Sequence, residues 1–256
     1  MTEHQIHHQD PLFDVTDKVY LIAGAGGGLG GPVAKALASR GAKLVLFDID
    51  AMALQRIAAA LPDALTQIVD MNSETAVSDA VRLSVQRFGR LDGAINAAGK
   101  LPIAAAADFD ETTFRQCLEV NVTGAFIFSR CVARAISDQG GRIVHIASVS
   151  SYVANPEYAA YASSKAALAQ LVKVLAREWA PRNILVNAIG PALTETSLTH
   201  DYLADPVFRK NAVSAIPMGR LGEPEDLIGA VLLLLGKGGA FITGQTIYVD
   251  GGRTLV

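Results

Sequence analysis

Short apolar runs alternate along the chain with longer segments in which apolar residues recur every three or four positions. The short runs are typical of strands buried on both faces, and the longer segments are typical of helices that cover a sheet. The predicted strands are 18–23, 43–48, 65–70, 91–96, 141–148, 183–189 and 245–249, and the predicted helices are 29–40, 51–61, 74–88, 111–137, 158–180 and 224–236. This alternation predicts an α/β fold, with a doubly wound, seven-stranded parallel sheet flanked by helices.

Residues that could contact a ligand follow several predicted strands. In a sheet of this kind, ligands bind at the carboxyl ends of the strands. The residues expected at that edge are Gly24, Asp48, Asp70, Asn96, Ser148 and Pro191. The strand pattern by itself therefore predicts a ligand site there.

A glycine-rich turn joins the first predicted strand to the first predicted helix. Residues 24–30 read Gly-Ala-Gly-Gly-Gly-Leu-Gly. Glycines between a strand and a helix allow a tight turn and let the backbone approach a pyrophosphate, whose charge lies at the positive end of the helix. A merely flexible glycine loop is the alternative, and the flanking strand and helix disfavour it.

Asp48 ends the second predicted strand, eighteen residues after Gly30. A carboxylate at this place can accept a hydrogen bond from the 2′-hydroxyl of an adenosine ribose and would repel a 2′-phosphate. Neither the glycine turn nor the three residues after Asp48 contain Arg or Lys. The pattern therefore favours NAD over NADP, although Asp48 or Asp50 could equally cap the next helix.

Tyr161 and Lys165 are one helical turn apart, which places both side chains on one face of a predicted helix. The unperturbed pKa of a phenol is about 10. An ammonium about 4 Å away would favour the phenolate by up to about 4 kcal/mol and bring the pKa of Tyr161 to about 7. General acid–base catalysis is efficient at such a pKa. Taken alone, however, such a pair is more often a surface phenol beside a solvated amine.

Seven motifs, in order, make the chain similar to the short-chain dehydrogenase/reductase family from about residue 17 to residue 252. They are the Gly-x-x-x-Gly-x-Gly turn, Asn-Ala-Ala-Gly at 96–99, Asn121 within 119–124, Ile-Ala-Ser at 146–148, Tyr-Ala-Ser-Ser-Lys at 161–165, 186–191 with Thr196, and the tail 241–252. The resemblance implies a Rossmann-type domain over residues 17–256. It also implies reversible hydride transfer between NAD and a secondary alcohol or its ketone.

The resemblance assigns roles to four residues. It implies that Tyr161 exchanges the hydroxyl proton, while Lys165 lowers the pKa of the phenol and holds the nicotinamide ribose. Ser148 would stabilise charge on the carbonyl oxygen, and Asn121 would hold a water that relays the proton. Ser148 could otherwise simply end a strand, and Asn121 could cap or kink a helix. The residues implied for cofactor binding are Gly24, Gly28, Leu29, Gly30, Asp48, Ile49, Asp70, Met71, Asn96, Ala97, Gly99, Tyr161, Lys165, Pro191, Thr194 and Thr196.

Three alanines depart from the family pattern. Ala23 stands where the family has Thr, and Ala97 where it has a second Asn. Ala192 stands where the family has Gly after Pro191, and a Cβ there would be unfavourable if the position needed a positive φ. We therefore expect a slightly reshaped nicotinamide pocket.

Family position places Lys100, Ser150, Asn155 and Tyr158 near the substrate, and segment 192–217 is implied to be the substrate-binding loop. Lys100 could pair with a substrate carboxylate or be a surface amine. The polar side chains favour a polyol, a sugar acid or a hydroxy acid as substrate. The alternatives are reduction of a 3-oxoacyl thioester on acyl carrier protein and, more remotely, a non-catalytic NAD-binding sensor or scaffold.

The chain has 256 residues and a formal net charge of −3, without a run of like charge. Nucleic acid and membrane surfaces are therefore not expected as partners. The apolar stretch 230–235 is too short to span a bilayer. No signal peptide is expected in the polar residues 1–16, and we expect them to form a flexible extension of a cytoplasmic protein. His4, His7 and His8 in this extension have metal-binding spacing, but a frayed tail is favoured and no metal is expected.

Predicted helices 111–137 and 158–180 carry apolar residues on more than one face. A helix that is apolar over so wide an arc needs a partner beyond its own sheet. In the resembling family these helices form a dimer interface, so we expect a homotetramer, with a dimer as runner-up. Cys117 and Cys131 lie about 21 Å apart on the first of these helices, too far for a disulfide.

Overall fold

Seven parallel strands form one sheet. A computed structural model describes residues 10–137 and 139–256. The strands are β1 Val19–Ala23, β2 Lys43–Asp48, β3 Leu65–Ile68, β4 Gly93–Asn96, β5 Gly141–Ile146, β6 Ile184–Pro191 and β7 Thr246–Val249. Their order across the sheet is β3-β2-β1-β4-β5-β6-β7. The strand order changes direction between β1 and β4, which makes the sheet doubly wound as predicted and creates a crevice at the carboxyl ends of these strands.

Nine α-helices lie among the described residues. They are α1 Gly30–Ala38, α2 Ala51–Ala60, α3 Glu74–Phe88, α4 Glu111–Leu118, α5 Ala125–Ala135, α6 Ala159–Trp179, α7 His200–Leu203, α8 Pro206–Ser214 and α9 Ile228–Leu235. A π-helical turn, Glu119–Gly124, joins α4 to α5.

Alternate residues of each central strand enter two separate hydrophobic cores. In β1, Leu21 packs into the core formed with α3, α5 and α6, whereas Ile22 packs into the core formed with α1, α2 and α9. Neither side chain is exposed to solvent. Because both faces of the sheet are covered, its strands are apolar at successive positions, which is the pattern seen in the sequence.

The predicted helices 29–40, 51–61, 74–88 and 158–180 are confirmed to within two residues at each end. The predicted single helix 111–137 is interrupted by the π-helical turn. Segment 192–217, whose periodicity is weak, contains two helices that the sequence analysis did not predict. The second of these, α8, is capped by the preceding residue, Asp205, whose side chain accepts a hydrogen bond from the Val207 amide at 2.9 Å.

Residues 10–16 differ from the flexible extension expected over 1–16. Val15 is fully buried in the core beside α9, and the Leu12 carbonyl accepts a hydrogen bond of 2.8 Å from the Gly238 amide. This part of the expected extension is therefore packed on the domain. The predicted tail residues 1–9, with His4, His7 and His8, lie outside the described residues.

Cys117 and Cys131 are free, buried thiols. Within residues 10–137 and 139–256, no group of three or more His, Cys, Asp or Glu side chains is placed to hold a metal ion. Over the same residues, no helix has the length and apolar character needed to cross a membrane.

A pair of glycine substitutions tests how tightly the sheet is packed. A Cβ on Gly93 of β4 would overlap the Arg142 carbonyl oxygen of β5, whereas a Cβ on Gly229 of α9 would meet no atom within 4 Å. We expect Gly93→Ala to lower the free energy of unfolding by about 1–3 kcal/mol. The control Gly229→Ala is expected to raise it by up to about 1 kcal/mol, because alanine is the better helix former. Chemical denaturation measures both, and equal effects would contradict the strand packing described here.

Candidate active site

Two adjoining cavities open at the carboxyl edge of the sheet. The larger cavity, about 690 Å³, lies against the glycine turn and the residues that follow β2, β3 and β4. The smaller cavity, about 350 Å³, surrounds the side chains of Ser148 and Tyr161. The residues that line both cavities are Leu29, Ala97, Gly99, Thr196 and Leu198. A ligand in one cavity can therefore reach a ligand in the other.

Most of the site residues predicted from the sequence line one of these two cavities, and four of them line both. The larger cavity is lined by Gly24, Gly28, Leu29, Asp48, Ile49, Asp70, Met71, Ala97, Gly99, Lys100 and Thr196. The smaller cavity is lined by Ser148, Ser150, Asn155, Tyr158, Tyr161, Lys165, Pro191 and Thr194. Lys100 thus lies apart from the three other residues predicted to contact substrate. Gly30, Asn96 and Asn121 line neither cavity and lie behind those that do.

The glycine turn is a backbone cradle whose positions reject larger side chains. Gly24 has a φ of +72°, and a Cβ there would lie 2.6 Å from the Ala98 amide nitrogen. A Cβ on Gly30 would overlap the Gly24 carbonyl oxygen, and one on Gly28 would lie 2.5 Å from the Thr196 Cβ. The first turn of α1 follows without a side-chain cap at Leu29. Its amide groups and the bare turn therefore fit a pyrophosphate.

Asp48 fixes the turn and lines the larger cavity. Its Oδ2 accepts a hydrogen bond from the Gly26 amide at 2.8 Å, and its Oδ1 accepts one from the Asp50 amide at 3.0 Å. Asp50 is the residue that caps α2, through Met52 and Ala53. The helix cap considered for Asp48 or Asp50 is therefore provided by Asp50. The Asp48 carboxylate keeps lone pairs that suit a ribose hydroxyl, and Lys100 is the one cation among the described residues that line this cavity.

Lys165 projects from α6 beneath the Tyr161 ring. Its Nζ lies 5.6 Å from the ring centroid and donates a 2.8 Å hydrogen bond to the Ile146 carbonyl at the end of β5. The side chain is buried, and burial lowers the pKa of Lys165 to about 8. The ammonium is therefore fixed by the strand end at the point where Ser148 follows.

The pKa of Tyr161 differs from the sequence-based expectation. The ring borders the smaller cavity, but burial of the phenol by the surrounding protein raises its pKa to about 12, against a smaller lowering effect of the Ser148 side-chain hydrogen bond. The prediction that Lys165 brings this pKa to about 7 is wrong for the polypeptide alone. It placed the ammonium about 4 Å from the phenol, whereas Lys165 is engaged by the Ile146 carbonyl.

Asn121 lies in the π-helical turn and holds the backbone of Lys100. Its Oδ1 accepts from the Lys100 amide at 2.8 Å, and its Nδ2 donates to the Lys100 carbonyl at 2.9 Å. The same Nδ2 donates to Ser164 Oγ, also at 2.9 Å. Asn121 thereby ties the segment after β4 to α6, one residue before Lys165. The turn that contains Asn121 is π-helical, and the side chain caps neither α4 nor α5.

A buried network beneath the site was not found from the sequence. His145 Nε2 lies 2.8 Å from Ser129 Oγ, and His145 Nδ1 lies 3.5 Å from Asn96 Nδ2. Ser129 donates its own proton to the Ala125 carbonyl, so Nε2 must be the protonated ring nitrogen. Burial, with the nearby Lys165 charge, lowers the pKa of His145 to about 3. The only signal in the sequence was one polar residue within the apolar run of β5.

This neutral histidine supports the strand end that forms the boundary between the cavities. Asn96 donates toward His145, and its Oδ1 accepts from the Ala98 amide at 3.1 Å. The backbone of residues 97–99 is held in this way beside the glycine turn. Asn96 therefore acts on the larger cavity through that backbone.

Segment 192–217 contributes lining residues to both cavities. Thr196 faces Gly28, while the Tyr202 hydroxyl donates to the Leu101 carbonyl at 3.1 Å. Ala192 does not have a positive φ, and its amide lies 3.3 Å from the Val249 carbonyl in sheet-like pairing. The missing glycine therefore causes no backbone strain at this position.

Arg253 also lines the smaller cavity, although it was not among the residues predicted from the sequence. Arg253 follows the final strand, and its Nη2 donates to Asn155 Oδ1 at 2.9 Å. Nothing in the local sequence pattern distinguished this residue from other surface arginines. Its position depends on how the end of the chain returns to the substrate side of the sheet.

Comparison with known proteins identifies the family. A sequence model described as enoyl-(acyl carrier protein) reductase matches residues 24–254. The NAD-dependent glycerol dehydrogenase of Listeria innocua is 34% identical over 248 residues, which cover 96% of this chain and 97% of that protein. Galactitol 2-dehydrogenase (L-tagatose-forming) of Cereibacter sphaeroides is 35% identical over 238 residues, covering 91% and 94% of the two chains.

A solved structure shares the fold over nearly the same length. It is a gluconate 5-dehydrogenase from Burkholderia cenocepacia in complex with NADP and tartrate, with a TM-score of 0.91 and 31% identity, covering 96% of this chain and 98% of that one. Matches of this extent and identity show that the chain belongs to the short-chain dehydrogenase/reductase family.

Proposed function

We propose that this protein is an NAD-dependent dehydrogenase that interconverts a secondary alcohol and its ketone in a small polyol, sugar acid or hydroxy acid. The observation that carries the proposal is the position of Ser148 and Tyr161 in a cavity that adjoins the glycine turn and Asp48. The names of the relatives, which include glycerol and galactitol dehydrogenases, support this substrate class.

The backbone of the glycine turn would hold the pyrophosphate of NAD, and Asp48 would hold the adenosine ribose. When bound, the nicotinamide supplies the hydride or accepts it. Tyr161 is protonated at neutral pH, because burial raises its pKa to about 12, so its hydroxyl is ready to give a proton to a ketone oxygen. Ser148 donates a hydrogen bond to the same oxygen and stabilises the charge that develops on it.

Alcohol oxidation needs the reverse transfer, in which Tyr161 first releases its own proton and then accepts the proton of the substrate hydroxyl. The hydrogen bond with Ser148 lowers the pKa of the phenol against the larger effect of burial, and so favours that release. Lys165 donates a hydrogen bond to the Ile146 carbonyl, lies next to the Tyr161 ring, and would contact the nicotinamide ribose. Asn121, which fixes the Lys100 backbone next to Gly99, would position the water that links Lys165 to solvent.

Reduction of a 3-oxoacyl thioester is the runner-up, because the description of the matching family model names acyl carrier protein. The smaller cavity, about 350 Å³, lies at the lower end of the range of about 300–1,000 Å³ for small-molecule sites, which favours a compact substrate. A non-catalytic NAD-binding sensor or scaffold is disfavoured, since Ser148, Tyr161 and Lys165 are all present.

We also propose a homotetramer, with a dimer as runner-up. The proposal is supported by two exposed apolar side chains, Val174 on α6 and Phe241 before the edge strand β7, since burial between subunits would remove them from water. The buried free thiols Cys117 and Cys131 are compatible with the reducing cytoplasm, where we place the protein.

A substrate panel tests the reaction class. Purified protein with NAD is offered polyols, sugar acids, hydroxy acids and 3-hydroxyacyl thioesters, and NADH formation is followed by near-ultraviolet absorbance. We expect turnover with a member of the first three classes, because the cavity is compact and partly polar. Turnover with the thioesters alone would replace this proposal by the runner-up.

Replacing Tyr161 by Phe removes the proton donor and keeps the ring. We expect Tyr161→Phe to lower kcat by about 10²–10⁴-fold, which is the usual contribution of general acid–base catalysis. NADH affinity, measured by fluorescence titration, is expected to change less than about threefold, since the hydroxyl is one of many contacts.

Tyr158→Phe is the matched control, because its ring packs edge-to-face on Tyr161 at a centroid distance of 6.0 Å in the same cavity. This variant is expected to retain at least about a tenth of the wild-type kcat. Undiminished turnover by Tyr161→Phe would remove Tyr161 from its assigned role.

Asp48→Asn tests the preference for NAD. The amide keeps one oxygen, which can accept from the Gly26 amide in place of the Asp50 amide, and it loses the charge that repels a 2′-phosphate. We expect kcat/KM with NAD to fall about tenfold, consistent with loss of a charged hydrogen bond, and kcat/KM with NADP to rise. Asp50→Asn, which preserves the cap of α2, is expected to leave the NAD/NADP ratio unchanged. An equal change of the NAD/NADP ratio in both variants would mean that the preference arises from the overall negative charge near the cavity and not from a contact between Asp48 and the ribose.

A further inference from the structure

A guanidinium that the proposed reaction does not use lines the smaller cavity. Arg253 begins the turn Arg253–Leu255 after β7 and lies in the same cavity as Tyr161. Its Nη2 donates to Asn155 Oδ1 at 2.9 Å, and its Nη1 donates to a main-chain oxygen of the last residue, Val256, at 3.2 Å. In the described part of the chain, no Asp or Glu side chain forms an ion pair with it.

The turn before Arg253 is held by one carboxylate. Asp250 accepts hydrogen bonds from the Gly252 amide at 3.0 Å, from the Thr254 amide at 2.8 Å and from the Thr254 hydroxyl at 2.7 Å. Gly252 has a φ of +90°, which glycine adopts at little cost. The backbone that carries the guanidinium is thus fixed before any substrate binds.

Asn155 orients the guanidinium and adds donors of its own. A guanidinium only donates hydrogen bonds, so the atom of Asn155 that faces Arg253 must be the amide oxygen. The other end of the Asn155 amide is then its Nδ2 group, which has two N–H donors. Arg253 and Asn155 together present donors to the cavity, which is a combination suited to a carboxylate.

The charges around the smaller cavity point the same way. Its charged lining residues are Arg253, Lys165 and Glu157, of which Lys165 donates to the Ile146 carbonyl. Glu157 is an exposed residue of the rim, where water screens its charge. Arg253 is partly buried, and it lines the cavity together with Asn155. The cavity therefore has a net positive lining, and neither of its two cations pairs with an Asp or Glu side chain in the described part of the chain.

We propose that Arg253, oriented by Asn155, is the specificity-determining residue that binds the carboxylate of the substrate. The inference rests on the proposed dehydrogenase function and narrows it to anionic substrates, sugar acids or hydroxy acids, in preference to neutral polyols. The carboxylate pairs with the guanidinium while the hydroxyl to be oxidised reaches Tyr161. Arg253 takes no part in the proton transfer.

The test compares a matched pair of substrates, a hexonate and the corresponding hexitol, which differ in the carboxylate. With NAD, the wild-type protein is expected to show the higher kcat/KM on a substrate of the hexonate class. Arg253→Gln is expected to lower kcat/KM for the acid about 100-fold, mainly by raising KM, and to change that for the hexitol less than about threefold. Arg253→Lys is expected to restore part of the loss, because it keeps the charge without the planar fork.

Arg209→Gln is the matched control. Arg209 is an exposed cation on α8 that pairs with Glu195 at 2.8 Å and lines neither cavity. This variant is expected to leave both substrates unaffected. Equal losses of kcat/KM on the acid and the hexitol in Arg253→Gln would assign Arg253 a structural role and overturn the inference, as would a wild-type preference for the hexitol that Arg253→Gln leaves unchanged.

Calorimetric titration of D-gluconate into the NADH-saturated protein separates this inference from the proposed function. Absence of turnover on every substrate would contradict the dehydrogenase function. In that case, a lower gluconate affinity of Arg253→Gln than of the wild-type protein would still support the anion site. An equal affinity of the two proteins would overturn it.

Discussion

The parallel pairing of β1 with β4 is the constraint on which the site depends. It places Ala23 beside Asn96, so the glycine turn and the segment after β4 leave the sheet at the same level. The two backbones then lie so close that a Cβ on Gly24 would come within 2.6 Å of the Ala98 amide nitrogen. Both cavities are bounded by residues 97–99, and the boundary exists only because this register is kept.

Polar groups hidden behind the cavities hold that boundary in place. Asn96 and the neutral His145 hold it from the sheet, and Asn121 holds it from the π-helical turn. Each of these side chains is buried and engaged in hydrogen bonds, which rigidify a site only when all of them are satisfied. The network therefore links the two halves of the site without contacting either ligand.

The sheet and the main helices could be predicted from the sequence, because they follow from apolar periodicity. Many of the site residues that the motifs imply line one of the two cavities, since these motifs lie at strand ends. Helices α7 and α8 were missed because they are short, and their apolar residues pack on a small separate core with Ile216 and Leu221. Tertiary packing stabilises them more than local propensity does.

Two properties of the site could not follow from the sequence. The pKa of Tyr161 depends on burial, which spacing along a helix does not report, and burial opposes the effect expected from Lys165. Arg253 reaches the smaller cavity through a turn whose direction is set by positive φ angles at two glycines. Local pattern fixes neither quantity, since both depend on how distant segments meet.

The π-helical turn at residues 119–124 has a consequence for how this chain can change over time. A π-turn contains one residue more than an α-helical turn, so it is equivalent to a single insertion in a continuous helix. Deleting that residue would rotate every side chain of α5 by about 100° relative to α4. Phe128, now fully buried against the sheet, would turn away from its core. The asparagine of the site and the packing of a whole helix are therefore inherited together, as one length of chain.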